Sequence, residues 1–564
     1  MNKYEIKKIL TVNYNVTLKE CEKILISEDY CLGILNENEE IKSFVIQEDL
    51  RKALNFKLDN YPVCLIATLT DCIDIDANNI NESKLAKYIK TGLNKGIFIG
   101  KDRKNIKFLT VSKNLTVNEE EKYLTEEYKN DIPPKIRKAL KYCYIAADKI
   151  SLPIYLIGGI VRDIVISQEN NKNLCLDDHF FDIDITVEES AIEFSRFLIK
   201  EYPEVCRIKG LHEDFKTSKV SFLIDGESID LDIASTRKED YLMPAHLPAV
   251  KDIGCGIYDD LIRRDFTINS MALSLNQNSF CRLIDPLGGY SDIMDKKIRI
   301  LHPISFVDDP TRIIRAIKFS TRFNYRLEDA TRKLMEACLD SNLFNNLGGE
   351  RIKSEIKQTF NLNKSDGFNM FIDEKAYKLV DADIIIPKNI SSLSQECRYL
   401  IQKYCDLLHS KDFIWLIYLG ILFSAFDKQK IIEIASKMYI SGMETEILTG
   451  TKDILNKTTF LEAAETRFET YELLEGYFTE SLLTAVVCTN NSAVKEKITL
   501  YIDELKDIKI YTTGKDLIKA GLVSGPAFGE ILRELLQARI NGFVLTKEDE
   551  AEYIKKFIDK SSMN

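Results

Sequence analysis

The hydrophobic period changes once along this chain, near Phe306, and that change limits the architectures open to it. From Lys135 to about Ser305 short apolar runs alternate with helical patterns, which is a mixed α/β signal. Beyond Phe306 strand signals nearly vanish and helical periodicity continues to the C-terminus. The fold class expected is α+β: a head built on a mixed sheet with helices, followed by an elongated all-α region. A chain of 564 residues is also too long for one core. The pattern places the head at residues 135–300 and a long helical region at 301–564. The polar segment from Asn114 to Pro134 has the charges and the proline pair of a boundary, and residues 121–134 are expected as a linker. Residues 1–120 then form a small separate α/β domain.

Composition narrows the class. Apolar residues make up 45% and charged residues 29%, as in a folded globular protein. The net charge of −11 offers no global attraction to nucleic acid or to an anionic membrane, so any RNA surface must be local. One such region exists: between Arg299 and Ser365 there are 12 Lys and Arg against 8 Asp and Glu. The longest apolar run, Phe413 to Phe426, is too short for a bilayer and reads as a buried helix. The 13 cysteines show no CxxC spacing and the start of the chain lacks a leader-like apolar run, so a reduced, cytoplasmic protein is expected. Five scattered histidines give no zinc pattern.

The chemistry is concentrated in the head. In FFDIDITVEE (Phe180–Glu189) the alternation sends Ile183, Ile185 and Val187 to one face of a strand and Asp182, Asp184 and Thr186 to the other. Two carboxylates that close repel each other unless a cation joins them. Just upstream, IYLIGGIVRD runs an apolar strand into Gly158-Gly159 and a helix. Paired glycines allow close approach of an anion, the helix N-terminus favours it, and Arg162 is in reach. Mg²⁺ takes carboxylate and phosphate oxygens, so a triphosphate on the glycine turn would complete its shell. SIDLDIAST (Ser228–Thr236) repeats the alternation and offers Asp232 as a third carboxylate, with Asp230 beside it. Taken singly, each feature also has a plain reading as a tight turn or a solvated edge strand.

Five segments occur together in order: LIGGIVRD, FDIDI, DDLIRRDFTINSMAL, LIDPLGGYSDI and FVDDPTRIIRAIKFSTRFNY. In this order they resemble the bacterial tRNA nucleotidyltransferases and poly(A) polymerases, a group with a DNA polymerase β-like head. ERIKSEI and TTGKDLIKAGLVSGPAFGEIL further on are similar to segments of the same family, and the resemblance implies a helical neck at 301–365, a helical body at 366–510 and a helical tail at 511–564. The resemblance implies that Asp182 and Asp184 bind metal, with Asp232 as a catalytic partner. It implies nucleotide contacts from Gly158, Gly159, Arg162, Arg263, Arg264, Asp309, Arg312, Arg315 and Lys318, without saying which of Arg263 and Arg264 does more. Asp265 either organises these arginines or caps a helix.

Base chemistry supports the assignment of Asp309 and Arg312. Cytosine and adenine both present an exocyclic amine beside an unprotonated ring nitrogen. A carboxylate and a guanidinium therefore accept C and A and reject G and U. At position 318 many relatives carry Arg where this chain has Lys, which keeps charge but loses bidentate geometry.

The expected function is CCA addition to the tRNA 3′ end from CTP and ATP, with Mg²⁺ and pyrophosphate release. A-only, CC-only and poly(A) addition are the alternatives. Ser235–Gly254 has the placement of the family's flexible loop, and its full length favours CCA or A addition over CC alone. The helix–strand–strand–helix order at Val16–Leu54, repeated more faintly over Asp76–Val111, resembles a pair of CBS-type modules. That raises an adenosine nucleotide at the N-terminal domain and a homodimer as further expectations. A non-catalytic nucleotide sensor that binds RNA is the remote alternative.

Overall fold

The computed structural model describes residues 4–70, 72–73, 96–100, 106–111, 122–170, 183–213, 216–344, 347–362, 365–522, 525 and 527–561. Asp182 and the helical pattern expected at Asp76–Ile89 lie outside them. The chain divides into two compact units, Met1–Gly348 and Gly349–Asn564. The division falls inside the span expected as a neck.

The first unit contains two seven-stranded sheets. The N-terminal sheet comprises β1 (Tyr4–Asn13), β2 (Tyr30–Leu35), β3 (Ile41–Val45), β4 (Thr68–Leu69), β5 (Cys72–Ile73), β6 (Gly96–Ile99) and β7 (Lys107–Val111). Its order is β4-β3-β2-β1-β7-β6-β5. Helices Leu18–Ile24 and Gln47–Asn55 lie where the periodicity places them. Thr17 and Glu20 form a capping box that starts the first of these. A cluster of Phe44, Phe98 and Phe108 packs edge-on at the centre, with ring centroids 4.6–6.4 Å apart.

The head sheet comprises β8 (Ile154–Ile157), β9 (Asp184–Val187), β10 (Cys206–His212), β11 (Thr217–Ile224), β12 (Glu227–Ser235), β15 (Ala272–Ser274) and β16 (Leu283–Ile284). Its order is β10-β11-β12-β9-β8-β15-β16. β9 runs parallel to β12 and antiparallel to β8. Ile183, Ile185 and Val187 are buried, as their alternation requires. Helices Pro134–Lys149 and Ala191–Glu201 pack together and against β11 and β12.

Two segments differ from their sequence reading. Part of the expected linker is a helix, Thr125–Asp131, held to the head by a Leu124 N–H bond to the Cys281 carbonyl and by Tyr128 edge-on to Phe280. The polar composition hid two anchors, Leu124 and Tyr128, both buried. The expected flexible loop is mostly a hairpin, β13 (Arg237–Asp240) against β14 (Ala249–Ile253).

In the first unit beyond Ser305, helices Ser305–Asp308, Thr311–Phe323 and Asp329–Ser341 follow one another. Asn324 ends the middle helix in the left-handed region, φ 57°. The second unit is helical throughout its described residues. Its apolar helix Ile414–Phe423 is buried almost all round. Among the described residues no helix is long and apolar enough to cross a membrane.

Candidate active site

β8 ends at Ile157 and is followed by Gly158, whose φ of 72° suits a residue without a Cβ. The helix Gly159–Asn170 begins at the next residue. A Cβ at Gly158 would stand 3.5 Å from Arg264 Nη1 and 3.6 Å from Asp184 Oδ2. A backbone turn, a guanidinium and a carboxylate therefore meet at one point.

Asp184 opens β9 and is in register with Asp232 on the parallel strand β12. In-register side chains of neighbouring strands share a face, so the two carboxylates lie side by side. Lys219 Nζ stands 3.8 Å from Asp232 Oδ2 and partly offsets that charge. Asp230, two residues earlier on the same face, is instead closed off by Lys209 at 2.7 and 2.9 Å. Oxygen donors of this kind suit a hard divalent cation. Asp184 and Asp232 are two of the three carboxylates expected, and Asp182 lies outside the described residues. No group of three or more candidate metal ligands occurs among the described residues.

The two arginines of RRD have different surroundings. Asp260, 1% exposed, collects both of them: Arg263 Nη2 at 2.7 Å and Arg264 Nη2 at 3.0 Å. Burial opposes its charge, but Arg264 and Arg263 hold its pKa below the ordinary carboxylate value. Arg263 is further tied to Glu239 of β13 at 2.9 Å. Arg264 has no second carboxylate, its Nη1 faces the Gly158 turn, and its buried Nε finds no partner among the described residues. Asp260 was not singled out from the sequence. The available signal was its spacing of three and four residues from the arginines across a helix end.

Asp265 takes a different part from either one expected. It accepts from Asn269 Nδ2 at 3.0 Å and from Arg315 Nε at 2.9 Å, rather than gathering the neighbouring arginines. Burial would raise its pKa, yet Arg315 and Asn269 bring it down to about 2. Asn269 also accepts from Arg162 Nη1 at 2.8 Å. Arg162 is 4% exposed and pairs with Asp163. Its guanidinium lies 5.4 Å from the Phe319 ring centre and 4.6 Å from that of Phe323. Burial pulls its pKa down while Asp163 pulls it up. Arg162 thus stands beneath Gly159, its Nη2 3.4 Å from where a Cβ there would be. Lys318 is buried beside Phe319 on the same helix.

Asp309 and Arg312 were expected as neighbours on one helix surface, and the structure buries both. Asp309 Oδ1 accepts from Thr311 N at 3.1 Å at the start of the helix, whose N-cap position is taken by Pro310 rather than by Asp309. Arg312 donates to Ser305 Oγ at 2.6 Å, to Tyr241 OH at 3.1 Å and to the Arg263 carbonyl at 3.2 Å. The cover comes from Tyr241, at the end of β13, whose position only the folded hairpin reveals.

A sheet that carries in-register aspartates beside a glycine turn, followed by a helix bearing Asp309 and Arg312, defines a nucleotidyltransferase-type head. Comparison with known proteins specifies it. Residues 154–299 match the family model of the poly(A) polymerase head domain. The chain is 30% identical over 426 residues to the A-adding tRNA nucleotidyltransferase of Geobacter sulfurreducens, covering 73% of this chain and 46% of that one. It is 29% identical over 421 residues to the A-adding enzyme of Halalkalibacterium halodurans, covering 73% and 90%. A solved CCA-adding enzyme in its apo form superposes with a TM-score of 0.64 at 25% identity, covering 78% of this chain and 99% of that one. The chain is thus a homologue of the tRNA nucleotidyltransferases and carries their head domain. It spans less than half the length of the Geobacter relative.

Proposed function

We propose that this protein transfers nucleotides to the 3′ end of tRNA, and that addition of the terminal A is its reaction. The observation that carries the transfer chemistry is the convergence of Gly158, Arg264 and Asp184. The turn and the helix start at Gly159 receive the triphosphate, and Arg264 neutralises it. Asp184 and Asp232, with Asp182, hold Mg²⁺ or a similar divalent cation. When bound, such an ion offsets charge on the entering and leaving oxygens. The RNA 3′-hydroxyl attacks the α-phosphate and pyrophosphate leaves. The network Arg162–Asn269–Asp265–Arg315 fixes the helix Thr311–Phe323 against the head. Asp309 accepts from the exocyclic amine and Arg312 donates to the ring nitrogen, which admits adenine and cytosine.

Similarity to A-adding enzymes along 73% of the chain supports A as the product. The second reading is complete CCA addition, favoured by the likeness to a CCA-adding structure. Purified protein incubated with tRNA ending before CCA, tRNA ending in CC and an unrelated RNA separates these. A addition predicts ATP incorporation on the CC-ending tRNA alone. CTP incorporation on the shorter tRNA favours the second reading, and incorporation on neither tRNA refutes both.

A further inference from the structure

Two seemingly separate features of the first unit meet at Asp308. This residue ends the helix Ser305–Asp308, directly before Asp309, and its side chain is 1% exposed. Lys52, on the helix Gln47–Asn55 of the N-terminal domain, donates to its Oδ2 at 2.7 Å. Asp308 Oδ1 is buried and has no partner among the described residues. Burial pushes this carboxyl up, and Lys52 is the strongest group pulling it back, followed by Arg312. His302 Nε2 stands 3.5 Å away.

The hairpin segment touches the same short stretch. Ala245 N donates to the Val307 carbonyl, and Tyr241 OH accepts from Arg312. Across a cleft of 370 Å³, residues Phe56 and Tyr61 of the N-terminal domain face Leu242 and Met243 of that segment. The N-terminal domain thus adjoins the apparatus that would contact the base, and it contributes one cation to it, Lys52, whose side chain is 38% exposed.

We propose that Lys52 is a positioning residue for Asp309 and Arg312, acting through Asp308. The proposal rests on the nucleotide-transfer reading of the site. A buried carboxylate deprived of its cation must find another or take a proton. His302 stands 3.5 Å from the same oxygen, and Arg312 is the other cation that acts on Asp308. Drawn toward Asp308, it would leave Ser305 and Tyr241 and lose the orientation that base contact requires. The N-terminal domain therefore sets nucleotide affinity without touching substrate.

The test uses the full chain with Lys52→Met, Lys52→Arg and the double variant Lys52→Met/Asp308→Asn. The readouts are kcat and KM for ATP and CTP on tRNA, and nucleotide affinity by calorimetry. Lys52→Met should raise nucleotide KM about tenfold, the worth of one charge-assisted hydrogen bond, with kcat little changed. Lys52→Arg should behave as wild type. The double variant, which removes the stranded charge, should recover most of the affinity. An unchanged KM in Lys52→Met overturns the proposal, as does a defect that Asp308→Asn fails to relieve. A wild-type protein that incorporates neither nucleotide refutes the transfer reading instead. The calorimetric affinities, which need no turnover, then decide on Lys52.

Discussion

Replacing Arg263 and Arg264 one at a time should separate folding from chemistry, because the structure gives adjacent arginines opposite partners. Arg263 joins Asp260 and Glu239, whose side chains are 1% and 6% exposed. Arg263→Ala leaves Glu239 with Arg237 and removes two of the bonds on Asp260. Deleting one partner of a buried ion pair costs about 3–5 kcal/mol, and the 17% exposure of Arg263 argues for about 3. At ~2 °C per kcal/mol for a larger domain, melting of the first unit should fall by about 6 °C. With its guanidinium engaged by Asp260 and Glu239, Arg263 is assigned to holding the fold, so kcat/KM should stay within about threefold. Arg264→Ala leaves Asp260 its Arg263 bonds and should melt within about 3 °C of wild type. It removes the guanidinium beside Gly158, worth about 1.5–3 kcal/mol as a charge-assisted contact, or about 10- to 100-fold in kcat/KM. Scanning calorimetry and single-nucleotide incorporation on CC-ending tRNA measure both. Lost turnover with normal melting in Arg263→Ala, and the reverse in Arg264→Ala, would refute the assignment.

Asp184→Asn should lower incorporation at least a thousandfold while tRNA binding by gel shift is retained; substantial turnover would exclude a metal-holding role. Asp309→Ala should relax discrimination against UTP and GTP by about 1–3 kcal/mol in kcat/KM, and unchanged selectivity would remove it from base reading. Asp265 has a folded pKa of about 2 against an ordinary value of 3.8, so it stabilises the fold above pH 4 and ceases to do so as pH falls through 2. That shift amounts to about 2 kcal/mol, so in urea titrations Asp265→Asn should lose stability at pH 6 and show a shallower decline toward low pH than wild type.

How much of this was legible in the sequence depended on the range over which each contact acts. Asp184 and the buried Ile183, Ile185 and Val187 follow from a two-residue period, which is local. The bond from Thr311 N to Asp309 is equally local. LIDPLGG is legible as a motif but not as a device: Asp285 accepts from the Gly289 and Tyr290 amides and shapes the turn. The different fates of Arg263 and Arg264 were not legible, since Glu239 reaches Arg263 only after β13 and β14 pair. Lys52 was further out of sight, 256 positions from the carboxylate it meets.

The burial of Arg312 has a consequence for selectivity that a sequence reading of an exposed pair would miss. Its donors already serve Ser305, Tyr241 and the Arg263 carbonyl. A base that takes up one of those donors must match the bond it displaces, and only the surplus contributes to affinity. Uracil and guanine offer a ring N–H at the position where cytosine and adenine offer a lone pair, so they would displace the Tyr241 hydroxyl and return nothing to Arg312. If Arg312 reads the base as proposed, the closed arrangement would penalise the wrong bases twice, through the contact not made and the one lost. Because Tyr241 belongs to the hairpin segment and Asp308 is held by Lys52, the proposed base reading would have its penalty set in part by residues that do not touch the base.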